Sequence, residues 1–177
     1  VFGADEVIPK SLDLIRDETP LPQWMNGISS YSMWWVLLHQ SWYEYTGDKE
    51  YLSQQRSYLT GLLDLLAQQV GPDNRETLPP ARFLDWPSSE NAPAIHAGLH
   101  SMLIMTLRAG AELCAVLDES ATRDNCLAAV DKLVKHVPDP ADSKQAAALI
   151  ALAGLDDPAR LNQAVMAVDG ARRMSTF

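Results

Sequence analysis

The sequence predicts an all-α fold of antiparallel helical hairpins, arranged in two layers as part of an α/α toroid. Three observations lead there. Apolar residues recur at helical spacing through most of the 177-residue chain. Turn signals separate the periodic stretches, and no alternating strand pattern competes apart from a short stretch at residues 82–86. Finally, helices two, four and six are apolar or small-residue-rich around much of their circumference, whereas three, five and seven carry a charged face. A helix that is apolar all round is buried on both sides, so the alternation describes inner and outer layers.

The elements follow in order. A first short helix is expected over residues 4–16, stopped by the Pro-containing stretch 17–27. Ser29 or Ser30 is placed to cap a second helix running to about Thr46. Gly47 suits the left-handed position that closes it, and Asp48 caps a third helix to about Val70. Leu52, Leu59, Leu63, Leu66 and Val70 form the apolar stripe of that helix. After a long Pro-rich loop at 71–91 come a fourth helix at 92–117, a fifth at 120–137, a sixth at 141–153 and a seventh at 157–169. Asp139 and Asp142 most simply cap the sixth. A solenoid has the same hairpin rhythm, but none of its usual repeat signatures is legible, which favours a toroid.

The layering places the loops. Every outer-to-inner connection (17–28, 71–91, 136–141 and the terminal 170–177) falls on one rim, together with the N-termini of the inner helices and their unpaired N–H groups. The opposite rim has tight turns. Long loops carry function more often than tight ones, so the functional face is expected on the side of Trp24, Asp85, Trp86 and Glu90.

Composition narrows the function. A formal net charge of −9 argues against a nucleic-acid surface, which rests on Lys and Arg. The longest apolar runs, such as residues 33–38, are too short to span a bilayer, so no membrane partner is expected. No signal peptide is visible. The start at Val1 instead of Met suggests an excised segment. Cys114 and Cys126 both sit in helical patterns and read as buried, reduced thiols.

The candidate chemistry lies in Arg82-Phe83-Leu84-Asp85-Trp86-Pro87-Ser88-Ser89-Glu90-Asn91. Indole faces stack on the C–H patches of a pyranose, and carboxylates accept from its hydroxyls. Trp24, Asn26, Tyr31, Trp34 and Trp35 add such groups near the same rim. The competing structural reading puts at least one of Trp34 and Trp35 in the inner-helix core, and makes Asp85 and Trp86 a turn-capping carboxylate beside a buried anchor. His96 and His100 share a helix face, but Ala97 stands where the metalloprotease pattern has Glu. A packing role at the mouth of an inner helix is expected of them, and neither a metal nor a cofactor.

Four stretches then carry a resemblance. Ser11-Leu12-Asp13 through Thr19-Pro20-Leu21-Pro22-Gln23-Trp24-Met25, and then Ser30-Tyr31-Ser32-Met33-Trp34-Trp35, resemble bacterial α-L-rhamnosidase-type glycoside hydrolases. Tyr43-Glu44-Tyr45-Thr46-Gly47-Asp48-Lys49-Glu50-Tyr51-Leu52 is similar to a hairpin turn common among six-hairpin glycosidases. Phe83-Leu84-Asp85-Trp86-Pro87 resembles the loop that lines the sugar pocket of the family. The resemblance implies part of an (α/α)6 toroid, about three and a half of its hairpins. It also implies an inverting acid/base hydrolysis of terminal α-L-rhamnosides, with a rhamnoside as the partner. Asp85, Trp86, Glu90, Trp24, Trp34 and Trp35 are the expected sugar contacts. The family's general acid lies upstream of the first matching segment and its general base far downstream, and neither motif occurs here. Inverting enzymes hold the two carboxyls about 6.5–9.5 Å apart, so the catalytic pair is expected outside this chain, which is itself inactive. A barrel cut in this way is expected to associate with itself. A periplasmic or secreted location is favoured over a cytoplasmic one. The rival readings are a non-catalytic α-solenoid that binds a protein partner, and a six-hairpin glycosidase or lyase for another sugar.

Overall fold

Local signals at the helix ends set most of the architecture. The computed structural model describes residues 6–174. Helix α1 spans Val7–Asp17, α2 Ser29–Thr46, α3 Lys49–Ala67, α4 Ala92–Val116, α5 Ser120–Leu133, α6 Lys144–Leu152 and α7 Pro158–Leu161. A 3-10 turn at Met25–Gly27 precedes α2, and α7 runs into a π-helical turn at Asn162–Met166. No strand occurs among the described residues; Val70 and Glu76 form one isolated antiparallel bridge, and the stretch at 82–86 is irregular. The fold is all-α, as the periodicity predicts. The expected start of the first helix at Ala4 lies outside the described residues, as does the end of the terminal loop beyond Met174.

Gly47 closes α2 at φ 68°, and its N–H donates to the Tyr43 carbonyl at 2.7 Å. One residue later Asp48 Oδ1 accepts from the Tyr51 N–H at 2.9 Å and opens α3. Asn91 caps α4 through the Ala94 N–H, and Asp157 caps α7 through those of Ala159 and Arg160. At α2 the outcome differs from the expected serine cap. Ser30 Oγ donates instead to the Phe83 carbonyl, and Ser32 Oγ accepts from the Met25 N–H. Ser29, the other expected cap, has its Oγ buried with no hydrogen-bond partner among the described residues, so the cap position falls to Ile28, which makes no side-chain cap.

Helix α4 is the centre of the molecule. It packs against α2 and α6 on either side and against α3 and α5 behind. Contacts between α3 and α5, and within the hairpins α2–α3, α4–α5 and α6–α7, complete two layers. By length and composition α4 is apolar enough to cross a membrane, contrary to the reading from short apolar runs; here it is the buried core helix. Leu59, Leu62, Leu63 and Leu66 of α3 meet Leu99, Met102, Leu103 and Leu107 of α4 in the main core. Between α4 and α6 the contact is built from small groups, Ala94, Ala97, Ala146 and Ala147, around Ile150 and Leu161. Helix α1 is held by its Leu12 carbonyl, which accepts from the Trp35 indole N–H at 3.0 Å. Asp13 adds a bond from Gln55, at 2.9 Å, and pairs with Arg16. This double layer of hairpins is common to toroids and solenoids.

Candidate functional site

The long loop between α3 and α4 is tied to the rim at several points. Asp85 Oδ1 accepts from the Ser88 N–H at 3.0 Å, which closes a turn beneath the exposed Trp86. Ser88 Oγ then shares a hydrogen bond with Ser143 Oγ at 2.8 Å, and Asn91 Nδ2 donates to the Ala141 carbonyl at 2.8 Å. The loops at 71–91 and 136–143 therefore meet on one rim, as the inner–outer alternation requires. Leu84 fits over Gly98 of α4, where a Cβ would overlap its side chain down to Cγ.

Trp34 is the hinge of the surface this creates. Its indole is 48% exposed and borders three adjoining hollows. One, of about 370 Å³, is lined by Ser30, Tyr31, Phe83, Leu84, Asp85 and Trp86 as well as Trp34. A second, also about 370 Å³, lies toward α6 and includes Asp85, Lys144, Gln145, Leu149 and Met166. The third, about 600 Å³, opens on the α1 side past Tyr31, Asn26 and Leu38. Their walls are mostly apolar with a few fixed polar groups, the usual make-up of a small-ligand site.

The residues singled out from sequence fall into distinct roles. Trp34 and Tyr31 face the hollows. Trp86 is 75% exposed and meets Phe83 edge-on, with ring centroids 5.2 Å apart. It is not the buried anchor of the structural reading. Asp85 is 7% exposed and serves as the turn-capping carboxylate while bordering two of the hollows. Trp35 is 2% exposed, donates to Leu12 and packs in the core, so its ring presents no face to a ligand. Trp24 is half-buried against the same core, and Glu90 is exposed near the end of the loop. Lys144 was not legible as a site residue. It is buried at the mouth of α6, and its ammonium donates to the Gly170 carbonyl beside the second hollow.

A second polar cluster lies behind the rim. The Glu76 side chain is fully buried; it accepts from Arg82, from the Leu78 N–H and from His96 Nδ1, the last at 2.7 Å. Burial pushes its carboxyl up, but the bonds from His96 and Arg82 outweigh that and hold it below the usual range. His96 Nε2 stands 3.3 Å from His136 Nε2. His100 Nε2 donates to the carbonyls of Leu133 and His136, while its buried Nδ1 has no partner among the described residues. Burial, then the neighbouring His136, lowers His100 to about 4, so it is neutral at physiological pH. His96 and His100 do pack at the mouth of α4, with ring centroids 5.7 Å apart. Among the described residues no group of three or more His, Cys, Asp or Glu side chains is arranged to hold a metal ion. Cys114 and Cys126 are buried free thiols, raised by burial to about 11 and about 12. No protein-family model, curated protein or solved structure matches the chain.

Proposed function

We propose that this chain forms part of the sugar-binding wall of an inverting glycoside hydrolase acting on terminal α-L-rhamnosides, within an (α/α)6 toroid. The observation that carries the reading is Trp34, a half-exposed indole shared by three hollows and flanked by Tyr31, Asp85 and Trp86. An aromatic face of this kind packs on the C–H side of a pyranose, while a carboxylate beside it accepts from ring hydroxyls. The segments that resemble the rhamnosidase type, Ser30 to Trp35 and Phe83 to Pro87, supply most of that lining. Asp85 positions the loop and contacts sugar; the acid and base come from elsewhere in the barrel. The chain on its own binds and does not turn over.

The test is a titration of the chain with L-rhamnose and an aryl α-L-rhamnoside, read by the indole N–H resonances. Shifts at Trp34 and Trp86 that disappear in Trp34→Ala support the reading; unshifted resonances at saturating sugar overturn it. Hydrolysis by the purified chain, undiminished in Asp85→Ala and Glu90→Ala, would show that the catalytic groups are placed wrongly.

A second reading, a non-catalytic helical module that grips a protein segment, is favoured by the apolar character of the same walls. Leu38 and Leu152 are half or more exposed on inner helices, and the hollow toward α6 is floored by Leu149 and Met166. An apolar peptide that displaces nothing when rhamnose is added, and binds where rhamnose does not, separates the two.

A further inference from the structure

We infer that the packed imidazoles of His96, His100 and His136 form a pH-sensitive latch, which docks the segment 134–143 on the mouth of α4 at neutral pH and releases it in mild acid. The three rings touch in pairs, with centroids 5.7, 5.5 and 5.1 Å apart. Each contact is built for neutral imidazole. His96 Nδ1 donates to the buried Glu76 carboxylate at 2.7 Å, so its Nε2 is a bare acceptor. His136 Nε2–H fills that acceptor across 3.3 Å, and only one proton fits between the two nitrogens. His100 is fully buried, and its Nε2–H donates to the carbonyls of Leu133 and His136. Its Nδ1 is buried with no hydrogen-bond partner among the described residues. A proton placed there would leave a buried N–H and a positive charge without an acceptor, which is the costly case for any polar group.

Charge balance points the same way. The charged groups that the loop at 71–91 brings to the cluster are already matched, Arg82 with Glu76 and Arg75 with Asp73 at 3.5 Å. The end of α5 carries Asp131, Lys132 and Lys135, all exposed to solvent. Helices α2, α3 and α6 meet α4 through apolar residues such as Met33 and Val36, Leu63 and Leu66, and Ala147 and Ile150. A charged His100 or His136 therefore finds no spare carboxylate among the described residues. Burial and the neighbouring His136 lower His100 to about 4, and burial and Arg75 lower His136. Undocking the segment returns both toward the ordinary 6.5. Above pH 6.5 the docked and open forms are both neutral, and docking is at full strength. As pH falls from 6.5 toward about 4, the open form takes up the proton and the docked form does not. From His100 alone, the open population should rise about twentyfold between pH 7 and pH 5.

The segment is also held against backbone strain. Ala141 and Asp142 take positive φ, 49° and 60°, a costly region for residues with a side chain. The same segment anchors the rim: the Ala141 carbonyl accepts from Asn91 Nδ2 and Ser143 Oγ bonds Ser88 Oγ, both at 2.8 Å. Release therefore takes support from the loop that carries Asp85 and Trp86. The latch is defined by its own imidazoles and amides, so it stands whatever ligand the Trp34 surface takes.

The experiment uses the whole chain and follows amide hydrogen exchange by NMR at pH 7 and pH 5, with each rate divided by its intrinsic value. The amides of His136 and Ser143, bonded to the Leu133 and Pro140 carbonyls, should lose protection about twentyfold. Those of Leu63 and Leu103 in the core should remain better protected at both pH values. The loss should persist in His39→Gln, whose imidazole packs on Trp35 and Tyr51 instead, and vanish in His100→Gln. Protection unchanged by pH, an equal loss in His100→Gln, or latch amides that open only together with the core overturns the inference. A second measurement needs no variant. The His100 imidazole of the native chain should titrate well below 6.5, and titration at 6.5 or above overturns the inference as well.

Discussion

The Trp35 indole N–H donates to the Leu12 carbonyl at 3.0 Å, while Trp34, one position earlier on α2, stands with its ring half exposed over the hollows. Adjacent helical residues point about 100° apart, so two neighbouring indoles serve two different ends. Trp35→Phe removes the donor to a carbonyl that α1 offers inward and leaves a gap beside Tyr58, whose ring centroid lies 5.2 Å away. It should cost about 1–3 kcal/mol in urea unfolding. Trp34→Ala should cost less than about 1 kcal/mol and should abolish ligand binding at the hollows. Equal destabilisation by both would contradict the assignment.

His39 makes folding sensitive to mild acid. It is buried with Nδ1–H donating to the Trp35 carbonyl at 2.8 Å, and burial lowers it from the ordinary 6.5 to about 4. The group is depressed in the folded chain, so above pH 6.5 both states are neutral and its contribution is complete. Between pH 6.5 and about 4 the unfolded chain takes up the proton and the folded chain does not. Stability should fall across that window by roughly 3 kcal/mol from this residue. Urea midpoints at pH 7 and pH 5 measure it, and His39→Gln should reduce the slope to the part that His100, also lowered to about 4, contributes. A midpoint independent of pH in the native chain would refute the effect.

Gly98 is a glycine for reasons of space: a Cβ there overlaps Leu84 down to Cγ. Gly98→Ala should push Leu84 off α4, at a cost of about 1–3 kcal/mol. It should also disturb the lining that Leu84 shares with Trp34 and Asp85. Gly110→Ala meets Leu63 in the same way, but in the α3–α4 core. It should therefore destabilise the chain without changing ligand affinity at the rim. Matched affinities in the two variants would show that Leu84 does not shape the site.

Self-association follows from the faces that inner helices leave open. Leu38 on α2 is 50% exposed in the hollow that Trp34 and Tyr31 also line, and Leu152 on α6 is 69% exposed. Exposed apolar surface of this kind, once beyond a few hundred Å², usually finds a partner. A second copy offering the same surface across a two-fold axis is the simplest closed arrangement. Light scattering should show a dimer or larger species at tens of micromolar, weakened by Leu38→Glu. A monodisperse monomer at that concentration would contradict it and favour the solenoid reading.

What the sequence makes legible is local. The Gly47–Asp48 turn, the Leu52, Leu59, Leu63 and Leu66 stripe of α3 and the apolar girth of α4 are set by residues within a few positions of one another and appear as expected, whereas Val70, expected to extend the stripe, lies past the end of α3 in a bridge with Glu76. The ends that moved were settled by distant partners. The periodicity predicts a fifth helix to Val137; it stops at Leu133, where the Leu133 and His136 carbonyls are bonded by His100. For the sixth it predicts a start at Ala141 under Asp139 or Asp142. Ala141 and Asp142 instead take positive φ, and Ser143 supplies the cap through the Ala146 N–H. Asp139 turns back on the Ala141 N–H at 2.7 Å. The third and seventh helices are shorter than their periodic stretches, and the seventh passes into a π turn.

The sequence by itself determined the helical class and its inner–outer order, because burial on one face or on all faces is written in apolar periodicity. It also determined which loops share a rim, since antiparallel hairpins leave no other choice. Only the tertiary structure decided which indole faces outward, because that depends on how α2 is rotated against α1 and α4. It alone brought Lys144 to the hollow and His136 to His96, forty residues away in the chain. Contacts at such separations follow from the docking of whole helices, and no local pattern encodes them.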